Sequence, residues 1–103
     1  MENKESFIDR FDNIIHEPAR LYIILNLYVL ESAGFVSLMR LTGLTDGNLS
    51  AHLKRLNAAN YIHIHKEFIK NKPNTSISLS EAGREALLNY SKFMRDLLES
   101  IHG

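Results

Sequence analysis

Apolar and polar residues alternate along the chain with periods that predict five helical segments and one pair of strands. We expect the first helix to be capped by Ser6 and to run to about Ile15. Its apolar stripe consists of Phe7, Ile8, Phe11, Ile14 and Ile15. A helix this short is not stable alone in water. It must therefore pack on its own domain or on a second copy of the chain.

The second predicted helix is apolar on nearly every face. Pro18 suits its first turn, where the missing N–H costs nothing, and residues 21–30 are almost all apolar. Such a helix lies at the centre of a core or is shared between a core and an interface. We expect Gly34 to end it as a left-handed glycine. The link 35–36 is then extended, and Ser37 caps a brief third helix.

The stretch 41–62 predicts the end of that brief helix, a tight turn and a fourth helix. Gly43 permits the bend, Thr45 can cap the fourth helix, and Asn60 can end it in a left-handed conformation. One apolar stripe runs along this helix, formed by Leu49, Leu53 and Leu56. Two helices joined this way, the second with a polar outer face, suggest helix-turn-helix DNA binding. An ordinary helical hairpin is the alternative.

The period changes from helical to alternating after Tyr61. Ile62 and Ile64 alternate with His63 and His65, which is typical of a strand. A second strand is expected over residues 75–79. The intervening residues 70–74 form a turn cluster with two lysines, and we expect the proline there, Pro73, to lie outside the paired strands. The sequence therefore predicts a β-hairpin with a basic tip.

The last predicted helix is capped by Ser80 and carries an apolar face broader than one small domain can cover. Gly83 near its start suggests close packing. Its apolar positions recur at heptad-like spacings. We therefore expect a homodimer, with the fold-back of this helix on its own core as the alternative. The expected interface residues are Phe7, Phe11, Leu87, Tyr90, Met94, Leu97 and Ile101.

Composition limits the chain to one modest domain. It has 103 residues, of which 45% are apolar, no cysteine, and a net charge of zero. No apolar run reaches the roughly 18 residues that a membrane span needs, and no signal peptide is evident, so we expect a cytoplasmic protein without a membrane partner. Between residues 40 and 75 six basic residues oppose two acidic ones, which gives a local charge of +4. The basic residues are Arg40, Lys54, Arg55, Lys66, Lys70 and Lys72.

Several motifs occur together over roughly residues 14–90. They are His16-Glu17-Pro18-Ala19-Arg20-Leu21, Leu44-Thr45-Asp46-Gly47-Asn48-Leu49-Ser50-Ala51-His52-Leu53, Tyr61-Ile62, Phe68, Lys72-Pro73-Asn74-Thr75 and Leu79-Ser80-Glu81-Ala82-Gly83. With these motifs the chain resembles the small winged helix-turn-helix transcriptional regulators related to the MarR and ArsR families, and it is most similar to their compact archaeal and bacterial subgroup. Asn60 departs from relatives that often have Gly.

The resemblance implies a mostly α fold with a small β-hairpin wing and extra N- and C-terminal helices. Residues 1–16 would be an N-terminal helix and 81–103 a C-terminal helix, both used for dimerisation. Between them, residues 17–80 would be the DNA-binding domain. Its recognition helix, about 45–59, would enter the major groove, and its wing, about 62–79, would lie on the adjacent minor groove or backbone. A homodimer would bind a near-palindromic double-stranded site.

Eight residues are predicted to contact DNA. At about 100° per residue, six of them face away from the leucine stripe of the recognition helix. Asn48 can pair with an adenine edge and Arg55 with guanine or phosphate, while His52 is interpreted as a packed histidine that reaches at most a phosphate. Two wing lysines complete the set, which is Gly47, Asn48, Ser50, Ala51, Lys54, Arg55, Lys70 and Lys72.

Other functions have less support. No Gly-rich phosphate loop, zinc-protease motif or carboxylate pair with a partner histidine occurs, so we expect neither an enzyme nor a cofactor. His63 and His65 share a strand face, a pattern that can present two imidazoles to a metal sensor's ion. The simpler interpretation is two solvated or stacked histidines, so we expect no metal site. A protein-binding winged helix remains an alternative. So does a repressor that responds to a small-molecule effector, in a pocket near Tyr22, Tyr28, Tyr90 and Phe93.

Overall fold

Four α-helices and a three-stranded antiparallel sheet form the fold in the computed structural model, which describes residues 7–102. The expected mostly α architecture with a β-hairpin is confirmed. The elements in chain order are a 3-10 helix (Phe7–Arg10), α1 (Pro18–Leu30), β1 (Ser32–Gly34), α2 (Phe35–Thr42), α3 (Asp46–Ala58), β2 (Ile62–Ile69), β3 (Lys72–Leu79) and α4 (Glu81–Glu99).

The N-terminal segment differs from its prediction. The expected helix to Ile15 is only a four-residue 3-10 helix, followed by turns. The Asp12 carboxylate accepts hydrogen bonds from the backbone N–H groups of Ile14 and Ile15, at 2.9 and 3.1 Å. Aspartate competes in this way with the helical bonds of its neighbours. The proposed cap Ser6 lies outside the described residues.

The boundary between α1 and α2 also differs from the prediction. Helix α1 ends at Leu30 because Glu31 adopts a left-handed φ of 71° and its N–H bonds Leu27 O at 2.8 Å. Gly34 was expected to be this terminator, but it has a φ of −74° and is the N-cap of α2. Residues 35–36 are therefore helical rather than extended, and Ser37 lies inside α2 rather than capping it.

The sheet has the order β1-β3-β2, so the strand that the sequence did not reveal, β1, covers one side of the hairpin. Strands β2 and β3 pair from Ile62 opposite Leu79 to Ile69 opposite Lys72. The predicted five-residue turn is thus only two residues long, and Pro73 lies within the paired region, opposite Phe68. Proline is tolerated there because β1 pairs only with Ser76–Ser78 and needs no N–H from residue 73.

Helix α1 crosses the centre of the fold and contacts α2, α3, α4 and β3. Its inward side chains Ile23, Ile24 and Leu27 are fully buried. The core also contains Ile15, Leu38, Leu49, Leu53, Leu56, Ile62, Ile77, Leu79 and Leu87.

None of the helices described within residues 7–102 is both long and apolar enough to cross a membrane.

The predicted helix-terminal residues around α3 and α4 are confirmed. Thr45 Oγ1 accepts the N–H of Asn48 at 3.2 Å, and Ser80 Oγ accepts that of Gly83 at 2.9 Å. Gly43 and Asn60 have left-handed φ angles of 73° and 64°. These four residues set the positions at which α3 and α4 begin and at which the chain turns on either side of α3.

Candidate nucleic-acid interface

One side of α3 packs in the hydrophobic core, and the opposite side is exposed to solvent. Leu49, Leu53 and Leu56 are 0, 4 and 0% exposed, as their spacing predicts. The six residues predicted to face away from them are all exposed. We call these residues the outer face of α3; they are Gly47, Asn48, Ser50, Ala51, Lys54 and Arg55.

The wing, residues 62–79, carries the other predicted contacts. Lys70 and Asn71 form its tip, with φ angles of 52° and 63°, which is the geometry of a type I′ hairpin turn. Lys70 and Lys72 are exposed. Neither forms an ion pair with any residue in 7–102, and the same holds for Lys54 and Arg55 of the outer face. These cations are therefore available to an external anion.

A cleft of about 420 Å³ separates α3 from the wing. Its cationic walls come from Lys54 on α3 and Lys66 on β2, which places positive charge on both sides of one groove. Lys66 was not among the predicted DNA contacts, although its alternation with Ile62 and Ile64 places it on this side of the strand. The remaining lining residues are Phe35, Ser50, Leu53, Asn57, Ile64 and Thr75.

A buried arginine connects α1 to α3. Arg20 is 8% exposed, and its Nε and Nη2 donate to Ile14 O at 2.6 Å and Asn13 O at 3.2 Å. Its Nη1 lies 3.2 Å from Nδ1 of His52 on α3. The Glu17 carboxylate accepts the N–H of Arg20 and lies 3.9 Å from the same His52 nitrogen. His52 is therefore packed, as predicted, but its partner is the buried Arg20 guanidinium, a contact that was not predicted.

Residues 19–98 match the winged helix DNA-binding domain family. The chain belongs to this family. The match spans the four helices and the wing described above, and it supports the resemblance on which the fold was predicted. Because the family is one of DNA-binding domains and not of enzymes, the expectation of no catalytic role is confirmed.

The chain is also similar to individual proteins. An uncharacterised protein of Methanocaldococcus jannaschii is 38% identical over 77 residues, which are 75% of this chain and 84% of that protein. A transcriptional regulator homologue from Pyrococcus horikoshii OT3 superposes with a TM-score of 0.82 at 23% identity, over 87% of this chain and 89% of that one. A MarR-family regulator from Enterococcus faecalis V583 has a TM-score of 0.75 at 20% identity, over 98% of this chain and 90% of that one. The two structures show that the winged helix fold is shared.

The wing histidines are exposed and form no metal-binding group. His65 Nε2 lies 3.6 Å from the Glu67 carboxylate, and the His63 side chain is exposed to solvent. No cluster of three His, Cys, Asp or Glu side chains suited to a metal ion occurs within residues 7–102.

The residues proposed for dimerisation differ in how far they are exposed. Leu87 is 6% exposed and belongs to this chain's own core, so it cannot contribute to a surface. The N-terminal segment packs on α4 of the same chain: the Phe7 and Phe11 rings lie 5.7 and 5.0 Å from that of Phe93. Tyr90, Met94 and Leu97 are half-buried, whereas Phe7 and Ile101 are 52 and 73% exposed.

Two tyrosines line a cavity of about 250 Å³ between the N-terminal segment and α4. Tyr61 donates to the Asp12 carboxylate at 2.7 Å; burial, followed by this bond, raises the pKa of Tyr61 to about 12. Burial, with a smaller effect of Asp12, also raises the pKa of Tyr90, whose hydroxyl lies 2.7 Å from His16 Nδ1. Of the four residues expected around an effector, Tyr90 and Phe93 line this cavity. Tyr22 and Tyr28 are instead exposed on α1.

Proposed function

We propose that the protein is a sequence-specific, double-stranded DNA-binding transcriptional regulator that acts as a homodimer in the cytoplasm. The observation that supports this most directly is the outer face of α3. Its polar and small side chains are exposed, its cations are unpaired within residues 7–102, and it lies beside a lysine-tipped wing. Membership of the winged helix DNA-binding domain family supports DNA as the ligand of this surface.

Helix α3 fits the major groove in size and chemistry. Its 13 residues span about 20 Å, and the groove is about 12 Å wide, enough to admit one helix. Asn48 can bond an adenine edge through two hydrogen bonds, and Arg55 can bond guanine or a phosphate. Gly47 and Ala51 have no long side chain, so the backbone of α3 can approach the base edges closely.

The wing extends the contact to the flanking DNA. Its strands have eight residues each, so Lys70 lies up to about 26 Å along the hairpin from its base. Lys70 and Lys72 would neutralise phosphates or enter the adjacent minor groove, and Lys66 would face the phosphates that pass through the cleft. Contacts of this kind contribute affinity and salt dependence rather than sequence preference.

Exposed apolar side chains at the end of α4 support the dimer. Leu98 and Ile101, in the last turn of α4 and in the turn after it, are 54 and 73% exposed. At about 100° per residue they continue the half-buried seam of Tyr90, Met94 and Leu97. With Leu87 excluded, the proposed interface comprises the distal part of α4 and the N-terminal segment. Two copies would present their α3 helices one DNA turn apart, about 34 Å, to a near-palindromic site.

DNA binding is tested by fluorescence anisotropy, using a site selected from a random duplex pool and an unrelated duplex, each at two salt concentrations. We expect Arg55→Ala to weaken binding to the selected site more than to the unrelated one. Lys70→Ala should weaken both equally and reduce the salt slope by about one per subunit. The matched controls Arg95→Ala and Lys92→Ala, on the exposed surface of α4, should bind as the wild type does.

Absence of salt-sensitive binding by the wild type would refute DNA binding and favour a protein-binding winged helix. Wild-type affinity in both the Arg55 and Lys70 variants would refute the assigned surface instead.

The dimer is tested separately by sedimentation velocity. Leu98→Glu should shift the chain to a monomer, whereas the matched control Leu41→Glu on α2, where the leucine is 44% exposed, should not. A wild type that sediments as a monomer at concentrations well above those used for binding would refute the homodimer.

A further inference from the structure

The Arg20–His52 contact determines where His52 carries its proton. An arginine guanidinium is always protonated and can only donate. Because Arg20 Nη1 lies 3.2 Å from His52 Nδ1, Nδ1 must accept. The neutral ring therefore carries its single proton on Nε2. Arg20 is anchored by two backbone carbonyls and is 8% exposed, so the donor is held in place.

The remaining ring nitrogen is free at the edge of the outer face of α3. His52 lies one helical turn after Asn48 and one turn before Arg55, on the same side of the helix. Its side chain is 22% exposed. Nε2 has no hydrogen-bond partner among residues 7–102. An oriented N–H donor therefore points out of the fold beside two predicted DNA contacts.

We propose that His52 Nε2–H donates to a DNA phosphate oxygen and that Arg20 is the positioning residue that fixes this tautomer. The inference rests on the proposed function. At about 100° per residue, His52 lies between the buried leucine stripe and the centre of the outer face. A side chain at this flank meets the backbone wall of the groove, whereas the centre of the face meets base edges.

This contact differs measurably from a lysine contact. A neutral donor adds a hydrogen bond but displaces no counterion, so its loss lowers affinity at every salt concentration without changing the salt slope. The bond from Arg20 to Nδ1 belongs to the neutral ring, and this ring donates through Nε2.

Two substitutions distinguish loss of the Nε2–H donor from loss of the imidazole ring. His52→Gln keeps an amide N–H near the position of Nε2, and His52→Asn does not reach it. We expect His52→Asn to weaken binding at least about tenfold per half-site, the usual effect of one hydrogen bond to a charged group, with an unchanged salt slope. His52→Gln should stay within about twofold of the wild type. His102→Asn, on the exposed C-terminal turn, is the matched control.

Nitrogen-detected NMR of the histidine rings in the wild-type protein reports the tautomer directly. We expect the His52 proton on Nε2 and a shift of that resonance when the selected duplex is added. A proton on Nδ1, or an Nε2 signal that DNA leaves unmoved, would overturn the inference. So would His52→Asn with wild-type affinity, and the proposed function would then still stand on the wild-type binding. A wild type that binds no DNA would overturn both.

Discussion

Gly83 is the residue at which α4 touches the start of the wing most closely. A Cβ added there would lie 2.1 Å from Tyr61 O, 2.9 Å from Tyr61 C and 3.0 Å from Leu79 Cδ1. Two of these atoms are backbone, which cannot rotate away as a side chain can. Gly83→Ala must therefore push the first turn of α4 away from the segment between α3 and β2.

The size of the effect follows from this geometry. A separation of 3.0 Å, the least that real Cβ atoms show, requires a shift of about 0.9 Å between the two segments. They are tied by the N–H of Ser80 to Tyr61 O at 3.0 Å and by Ser80 Oγ to Asn60 O at 2.6 Å. Overpacking costs about 1–3 kcal/mol, and each weakened bond adds about 1 kcal/mol. The higher helix propensity of alanine offsets up to about 1 kcal/mol of this loss in unfolding free energy. We expect a net loss of roughly 3 kcal/mol.

Urea denaturation followed by circular dichroism measures this loss. Gly47→Ala in α3 is the matched control, because no atom lies within 4 Å of its added Cβ. It should raise the unfolding free energy by up to about 1 kcal/mol through propensity alone. The same substitution is thus expected to have opposite signs at the two glycines. A Gly83→Ala variant as stable as the wild type, with an unchanged m-value, would refute the close-approach argument.

Three further changes test local features by the same denaturation assay. Thr45→Ala should cost about 1 kcal/mol by leaving the Asn48 N–H uncapped, while Thr45→Ser should cost little. Lys70→Gly should stabilise by about 0.5–1 kcal/mol, since Lys70 holds a φ of 52° that glycine adopts without strain; a loss of stability would contradict the turn assignment. Burial and the bond to Asp12 raise the pKa of Tyr61 from 10.0 to about 12, so its neutral form is favoured on folding. That contribution is complete below about pH 10 and is lost as the pH rises through about 12. Tyr61→Phe should therefore lose less stability than the wild type over this interval, and equal losses would contradict the assignment.

The correct predictions relied on short-range patterns. The leucine spacing of α3, the Thr45 and Ser80 caps and the left-handed Asn60 involve residues within one or two helical turns of each other. The exposed DNA-contact set followed from the same periodicity, because a helix buried on one side leaves the opposite side free.

Several of the errors occurred where a distant partner decides the conformation. Ser32–Gly34 is a strand only because β3 offers an edge to pair with, and no alternation is visible in three residues. Glu31 rather than Gly34 ends α1, although glycine is the more usual terminator. Pro73 lies in the hairpin because β1 stops short of it.

The sequence alone determined the helix periods, the capping residues, the basic segment and the family resemblance, since each depends on residue types at fixed local spacing. Only the tertiary structure decided that Leu87 is core rather than interface and that Lys66 lines the cleft beside Lys54. It also brought Arg20, 32 residues away in sequence, against His52. Contacts over such separations depend on how whole elements pack, which local pattern does not encode.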